Sequence, residues 1–369
     1  MKQRMMYVVL VLLFLVAACS KQEEANQVSE PVATDEPEQE EIVKVDNTEE
    51  DRTKVTNSEP EFENIFPLTG IGTDEPVDQR AVAVMINNHP NARPQTGLQN
   101  ADIVYEVLTE GDITRFLAFY QSEQPKKVGP VRSARKYFVE LTRGYDGLYL
   151  YHGTYQILED QLRSGLIDNI SGSYHDNDRV LFERADFRNA PHDSYLLYEN
   201  LFSVAQERYK YNMTKNISPL QFLSDEEINN LNGEKAEAVM ITYSTSTYSS
   251  VEFIYDQENE KYQRYSGGEK TVDLETDIPI MVDNLLIVEM DHKVIDSKGR
   301  RDINLTSGGK GYLLQKGIVK EINWKNDNGR IIPYVNGEQV GFVPGKTWIN
   351  IIPTSPGITS AVSLQVETN

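Results

Sequence analysis

The stretch AVAVMI at residues 81–86 is a continuous apolar run, and the prediction of the surrounding fold starts from it. Such a run is typical of a central strand that is buried on both faces of a sheet. Further strand patterns at Asp102–Leu108, Thr114–Tyr120 and Leu148–Tyr151 alternate with helical ones. The helical patterns lie at Ser133–Arg143, Gln156–Leu162 and Ser194–Tyr209. This alternation predicts an α/β (or α+β) N-terminal domain over residues 62–215.

Beyond a change of composition near residues 211–235, almost every pattern is that of a short strand followed by a turn. The pair Asn336-Gly337 is a strong hairpin turn signal. The folded part, residues 62–369, is long for one ordinary core, which favours two domains. We therefore predict a mainly β C-terminal domain over residues 220–367. Its strand candidates are Ala238–Tyr243, Ser250–Tyr255, Lys261–Tyr265, Leu285–Met290, Tyr312–Leu314, Ile318–Trp324 and Trp348–Ile352.

The N-terminus has the pattern of a lipoprotein signal peptide. Lys2 and Arg4 precede an apolar stretch, and small residues lead to Cys19, the only cysteine in the chain. We predict that residues 1–18 are removed and that Cys19 receives a diacylglyceryl group. The lipid would hold the protein on the outer face of a bacterial plasma membrane. The alternative is an ordinary signal peptide followed by an incidental cysteine. Because no second cysteine exists, disulfides within the chain are excluded.

Residues 19–61 are predicted to be a disordered tether. After Cys19 they hold 14 acidic residues against four basic ones, with few apolar side chains. A segment of this composition buries too little apolar surface to offset the entropy of ordering it. The whole chain carries a formal charge of −21, and residues 62–369 keep −13 of it. Bulk binding of nucleic acid is therefore not expected.

The segment VGPVRSAR at residues 128–135 is basic in an otherwise acidic region. With Ser133 as the N-cap of a helix, Arg132 and Arg135 would stand beside free backbone N–H groups, an arrangement that favours an anion. Arg93 and Arg115 are further candidates for the same site. The competing interpretation is a solvated basic face that pairs with neighbouring acids.

Four residues are candidate acids or bases. His89 lies in the polar loop after the buried run, where the alternative is turn chemistry alone. Glu106 sits among apolar residues and needs a partner, for which Arg115 is the nearest guess. The other two candidates are His152 and His192, and the competing interpretation for each is a hydrogen bond to loop backbone alone, which is the more common role of such a histidine. No histidine pair has metal-ligand spacing, so neither a metal nor another cofactor is predicted.

Several short motifs recur together in one known family. In the first half they are RPQTGL at 93–98, ADIVYE at 101–106, ITRF at 113–116, VGPVRSAR at 128–135 and APH at 190–192. In the second half they are GKGY at 309–312 and PGKTW at 344–348. On these motifs the chain resembles the YerB-like lipoproteins of Gram-positive bacteria. The resemblance implies a two-domain lipoprotein and no particular reaction.

Two functions remain open at this point. The first is a binding or scaffold lipoprotein whose arginine-lined site takes an anionic envelope ligand, or which recognises a protein partner. The second is an envelope enzyme that acts on a phosphorylated or glycan substrate, with Glu106, His89, His152 or His192 as acid or base. Convergence of a histidine or glutamate with the arginines in one pocket would favour the enzyme.

Overall fold

The computed structural model describes residues 62–366 except 245, 247 and 248, so the predicted signal peptide, Cys19 and the tether lie outside the described residues. In the first region the strands are β1 (Asn64–Ile65), β2 (Gly72–Thr73), β3 (Val82–Asn87), β4 (Ile103–Leu108), β5 (Thr114–Tyr120), β6 (Lys127–Val128), β7 (Leu148–Tyr151), β8 (Asn169–Ser171), β9 (Phe182–Arg184) and β10 (Ser194–Leu197). The helices of this region are α1 (Lys136–Arg143), α2 (Gln156–Arg163) and α3 (Leu201–Glu207).

The second region is mainly β, as predicted. It begins with α4 (Asp225–Asn229) and ends with α5 (Ile358–Ala361) before the last strand. Its strands are β11 (Glu234–Thr242), β12 (Ser250–Asp256), β13 (Lys261–Ser266), β14 (Glu269–Lys270), β15 (Met281–Val282), β16 (Asn284–Met290), β17 (His292–Val294), β18 (Arg301–Ile303), β19 (Gly309–Gln315), β20 (Ile318–Asp327), β21 (Arg330–Val335), β22 (Glu338–Gln339), β23 (Thr347–Pro353) and β24 (Val362–Val366).

The apolar run at 81–86 forms the buried strand that its pattern predicts. β3 pairs with β5 in antiparallel register and with β7 in parallel register. Its side chains alternate between two apolar cores: Val84 packs in one and Met85 in the other. The sheet is therefore buried on both faces, which explains why the sequence here shows no polar alternation.

Strands of the two regions join in one sheet. β23 pairs in parallel with β16 on one side and with β4 on the other. Residues 58–369 accordingly group into one compact unit. The expectation of an α/β first region is met only in part, because its helices are short and its sheet is mixed. No helix in the described part of the chain is both long and apolar enough to cross a membrane.

Two predicted helix bounds are wrong. The helix predicted from Ser194 begins only at Leu201, because Leu196 and Leu197 pair with β6 as strand β10. The helix predicted from Ser133 begins at Lys136. The backbone before it is engaged by neighbouring segments, since the Arg132 N–H donates to the Met85 carbonyl (2.8 Å) and the Ala134 N–H to the Gly153 carbonyl (3.0 Å).

Candidate functional site

A cleft with an excess of positive charge lies at the carboxyl end of β3. Its cavity has a volume of about 460 Å³. We call it the cationic cleft; the residues that define it are Arg115, Arg132, Arg135, Lys298, Arg300, Glu110, His89 and His192. Ser133 also lines it, but the predicted N-cap role is wrong: Arg135 is the N-cap of α1, and no side chain caps that helix. The cleft therefore depends on side chains and not on a capped helix N-terminus.

Glu110 neutralises part of the charge in the cleft. Its carboxylate accepts hydrogen bonds from the Arg115 guanidinium at 2.9 Å and from Nε of Arg135. Burial alone would raise the pKa of Glu110, but the bond from Arg135 and the charges of both arginines outweigh it and hold that pKa below its usual range. Burial lowers the pKa of Arg115 to about 10, so this arginine stays charged at neutral pH.

Arg132 has no such partner. Within the described part of the chain, its guanidinium makes no hydrogen bond and no ion pair, although the residue is half-buried. Burial and the nearby Arg135 lower the pKa of Arg132, but a guanidinium stays protonated in proteins. Arg132 thus brings to the cleft wall a positive charge that no direct ion pair within the described residues neutralises.

The C-terminal region supplies the facing wall. Lys298 and Arg300 lie at the tip of the hairpin β17–β18, and Arg300 pairs with Asp296 while its guanidinium sits 4.5 Å from the centre of the Tyr155 ring. Arg301 fixes the hairpin, because it donates to the carbonyls of Thr109 (2.6 Å) and Gly111 (3.0 Å). No site residue was predicted in this segment from the sequence. Its signal was the basic run KGRR at 298–301.

Among the described residues, the cleft lining holds five cationic side chains and the carboxylate of Glu110, and Asp296 pairs with Arg300 from outside the lining. The local charge is therefore about +3 in a protein that is strongly acidic overall. At the short distances within a partly buried cleft, such an excess attracts anions more strongly than it would in open solvent.

Two histidines stack in the same cleft. The rings of His89 and His192 are 4.5 Å apart between centres, at an angle of 26°. Nδ1 of His89 accepts from the Asn91 N–H (3.1 Å). Asn87 accepts the His89 N–H through its side-chain oxygen, so its amide nitrogen donates to Nδ1 of His192 (2.9 Å). This network assigns the proton of each neutral ring to Nε2.

Burial lowers the pKa of both histidines. For His89 the charges of Arg93 and Arg132 add to the effect, and for His192 those of His89 and Arg132 do so. Both rings are therefore neutral near pH 7, and each has a single free N–H donor at Nε2.

The remaining predicted site residues lie elsewhere. Arg93 lines a second cavity of about 290 Å³ together with Arg264, and it donates to the Asn88 side chain at 3.0 Å. His152 bonds the Ser194 hydroxyl at 2.7 Å and does not line the cationic cleft.

Glu106 is a buried structural carboxylate. The guess that Arg115 is its partner is wrong, because Glu106 lies opposite Phe116 in the β4–β5 register and alternation sends Arg115 to the other face of the sheet. Its partner is Arg264, at 2.9 Å, and Nε1 of Trp348 also donates to it at 3.1 Å. Among the described residues, no group of three histidines, cysteines, aspartates or glutamates is arranged to hold a metal ion.

Most of the described part of the chain matches known proteins. Residues 68–212 match the family described as the N-terminal domain of a protein of unknown function (DUF3048), and residues 239–349 match the C-terminal domain of that family. The protein named "Putative lipoprotein YerB" of Bacillus subtilis (strain 168) is 48% identical over 290 residues, which are 78% of this chain and 86% of that protein.

A solved structure is also similar. The crystal structure of the YerB protein from Bacillus subtilis has a TM-score of 0.75 and 46% identity, and the match covers 82% of this chain and 100% of that one. The chain belongs to the DUF3048 family of YerB-like proteins, which confirms the resemblance found in the sequence.

Proposed function

We propose that this DUF3048 protein is a lipid-anchored extracytoplasmic binding protein whose cationic cleft takes a phosphate-bearing ligand. The lipoprotein pattern that ends at Cys19 supports the anchor, and so does the name of the Bacillus subtilis relative. The anchor would place the cleft close to a membrane surface, where phosphorylated envelope components are found.

The observation that carries the ligand class is Arg132. Within the described part of the chain this half-buried guanidinium makes no hydrogen bond or ion pair and stands beside two further arginines, so the more distant Glu110 charge offsets its burial only in part. Arginine binds phosphate and carboxylate through paired N–H bonds. A phosphate monoester, with up to two negative charges, matches a local charge of about +3 better than a single carboxylate does.

The histidines support binding more than catalysis. Since Nε2 of His89 and of His192 carries a proton, both rings offer donors to an anion and neither offers a lone pair to abstract a proton. The Glu110 carboxylate is occupied by two arginines. The volume of the cleft, about 460 Å³, suits a small ligand or the head of a larger one.

The second candidate, an enzyme acting on a phosphorylated or glycan substrate, draws its support from one observation. His89, His192 and Arg132 converge in the same cleft, as an acid–base site beside an anion site would require. Against it stands the protonation of both rings at Nε2, which leaves the cleft without a free base.

The test is calorimetric titration of residues 58–369, the compact unit, with methyl phosphate. We expect saturable binding, a loss of about tenfold or more in affinity for Arg132→Met, and a change below about twofold for Arg143→Met. Arg143 is the matched control, because it is an exposed arginine of α1 outside the cleft. No saturable binding, or equal affinity in both variants, would contradict the proposal. Phosphorus NMR of the same mixture should show methyl phosphate unchanged; turnover would favour the enzyme.

A further inference from the structure

We infer that the protein has a second ligand site, separate from the cationic cleft, which binds a small monocarboxylate. The site is the cavity of about 290 Å³ that Arg93 and Arg264 line, and we call it the β13 cavity. The loop after β3 supplies one wall with Arg93 and Gln95. Strand β13 and the segment after it supply the other wall with Arg264, Ser266 and Thr271.

The β13 wall is built by strand geometry. Arg264 and Ser266 are two residues apart on β13, so their side chains lie on the same face of that strand. The two residues are 1% and 7% exposed, and both line the cavity. The Thr271 N–H donates to the Arg264 carbonyl at 2.9 Å, which places Thr271 beside Arg264 on this wall.

Two buried polar groups of the β13 wall lack hydrogen-bond partners. Nη1 of Arg264 donates to the Thr271 hydroxyl at 2.8 Å, and Nη2 donates to both oxygens of Glu106 at 2.9 and 3.0 Å. Among the described residues, neither Nε of Arg264 nor the Ser266 hydroxyl has a partner. Because a buried donor without an acceptor costs free energy, a ligand with acceptor oxygens would recover that cost.

The opposite wall is held in place by hydrogen bonds. Arg93 donates through Nε to the Asn88 side-chain oxygen and through Nη2 to the Asn88 carbonyl, both at 3.0 Å. The Gln95 amide donates to the Asn87 carbonyl and to the same Asn88 oxygen, both at 3.1 Å. Burial lowers the pKa of Arg93 to about 10, so this arginine brings a positive charge to the cavity at neutral pH.

The charge and the size of the cavity select the ligand. The buried Glu106 neutralises Arg264, and the exposed lining residues Lys270 and Glu269 oppose each other. With Arg93 added, the local charge among the described residues is about +1. A monoanion matches this charge, whereas a phosphate monoester matches the cationic cleft better. A volume of about 290 Å³ is at the lower end for ligand cavities, so we expect a small carboxylate.

The experiment is an NMR titration of isotope-labelled residues 58–369 with sodium propionate at constant ionic strength. We expect a saturable shift of the Arg264 Nε–H signal, which reports on this cavity directly. Propionamide has nearly the same shape and no charge. It should bind at least about tenfold more weakly, because hydrogen bonds to a charged acceptor are stronger than those to a neutral one.

Ser266→Ala separates a ligand role from a structural one. Removal of a buried hydroxyl without a partner should leave the free energy of unfolding unchanged or slightly higher, while the affinity for propionate falls about fivefold or more. Ser203→Ala, at an exposed serine of α3 outside the cavity, should change neither quantity. Arg93→Met should lose about tenfold or more in affinity for propionate, and Arg143→Met less than about twofold.

Three results would overturn the inference. The first is the absence of a saturable shift with propionate, and the second is full affinity for propionate in Ser266→Ala. The third is equal affinity of propionate and methyl phosphate at the Arg264 signal, which would make the cavity a general anion site. Arg132 does not line this cavity. A failure of methyl phosphate to bind the cationic cleft would therefore refute the proposed function and leave this inference standing.

Discussion

The same residue types, arginine and glutamate, are used in opposite ways in two regions of the molecule. In the core, Glu106 and Arg264 are 0% and 1% exposed in their side chains and pair one to one at 2.9 Å. The Arg264 guanidinium is also 4.8 Å from the centre of the Trp348 ring. In the cationic cleft, Glu110 pairs with two arginines, and among the described residues the Arg132 guanidinium has no hydrogen-bond or ion-pair partner.

The difference separates structural charge from charge that is available to a ligand. Burying an ion costs free energy that only a close partner offsets, so the core pair must be balanced. A half-open cleft tolerates an excess because water solvates it until an anion arrives.

The largest expected effect is on the core pair. Glu106→Gln would leave the Arg264 charge buried without a counter-ion, which should lower the free energy of unfolding by about 3–5 kcal/mol. Chemical denaturation measures it. Glu140→Gln, at a partly exposed carboxylate paired with Lys136 on α1, should cost below about 1 kcal/mol. Equal losses of unfolding free energy in the two variants would show that the buried pair contributes no more to stability than the exposed one.

The second prediction concerns Arg132, whose substitution should change ligand affinity and leave stability almost unchanged. Arg132→Met should change the free energy of unfolding by less than about 0.5 kcal/mol, because no hydrogen bond or ion pair of its guanidinium is lost within the described part of the chain. The same variant should lose about tenfold or more in affinity for methyl phosphate. Denaturation and calorimetry on one preparation check both. A large loss in the free energy of unfolding of Arg132→Met would show that Arg132 has a structural role instead.

Glu110 should affect both stability and ligand affinity. Glu110→Gln should raise the affinity for methyl phosphate several-fold, since Arg115 and Arg135 lose their counter-ion, and should cost about 1–2 kcal/mol of stability. The lowered pKa of Glu110 means that its contribution is complete above the ordinary glutamate pKa and is lost as pH falls through the lowered value. The stability difference between the two proteins should thus shrink in acid. A constant difference would contradict the ion pairs.

The smallest effect concerns the histidines. Their pKa values are lowered, so His89 and His192 gain protons only below the ordinary histidine pKa, and the added charge should strengthen anion binding there. Methyl sulfate, which does not titrate in this range, should bind a few-fold more tightly at pH 5 than at pH 7. His89→Gln/His192→Gln should flatten this dependence. An unchanged slope would place the titrating group elsewhere.

Local patterns predicted much of the fold. The run at 81–86 and the strand Leu148–Tyr151 are found where the sequence indicates them, because burial on both faces leaves a plain apolar signal. The start of α1 was missed because the Arg132 and Ala134 N–H groups bond to neighbouring segments, a tertiary effect. The core pair could not be predicted either, since Glu106 and Arg264 are 158 residues apart in the chain.

Only some of the residues that line the cleft could be predicted from the sequence. The basic segment at 128–135 indicated Arg132 and Arg135, and the loop after β3 indicated His89; all three line the same cavity, and their role in binding stays a prediction. Lys298 and Arg300 come from a hairpin of the other region, which only the three-dimensional fold brings to the site. Arg93 was placed in the same site by its charge, but its side chain turns to the Asn88 amide and the smaller cavity.

The most direct test is a crystal structure of residues 58–369 grown with methyl phosphate. We expect a phosphate within hydrogen-bond distance of the Arg132 guanidinium and of Nε2 of His89 or His192. A phosphate held instead between Arg93 and Arg264, with nothing bound at Arg132, would contradict it.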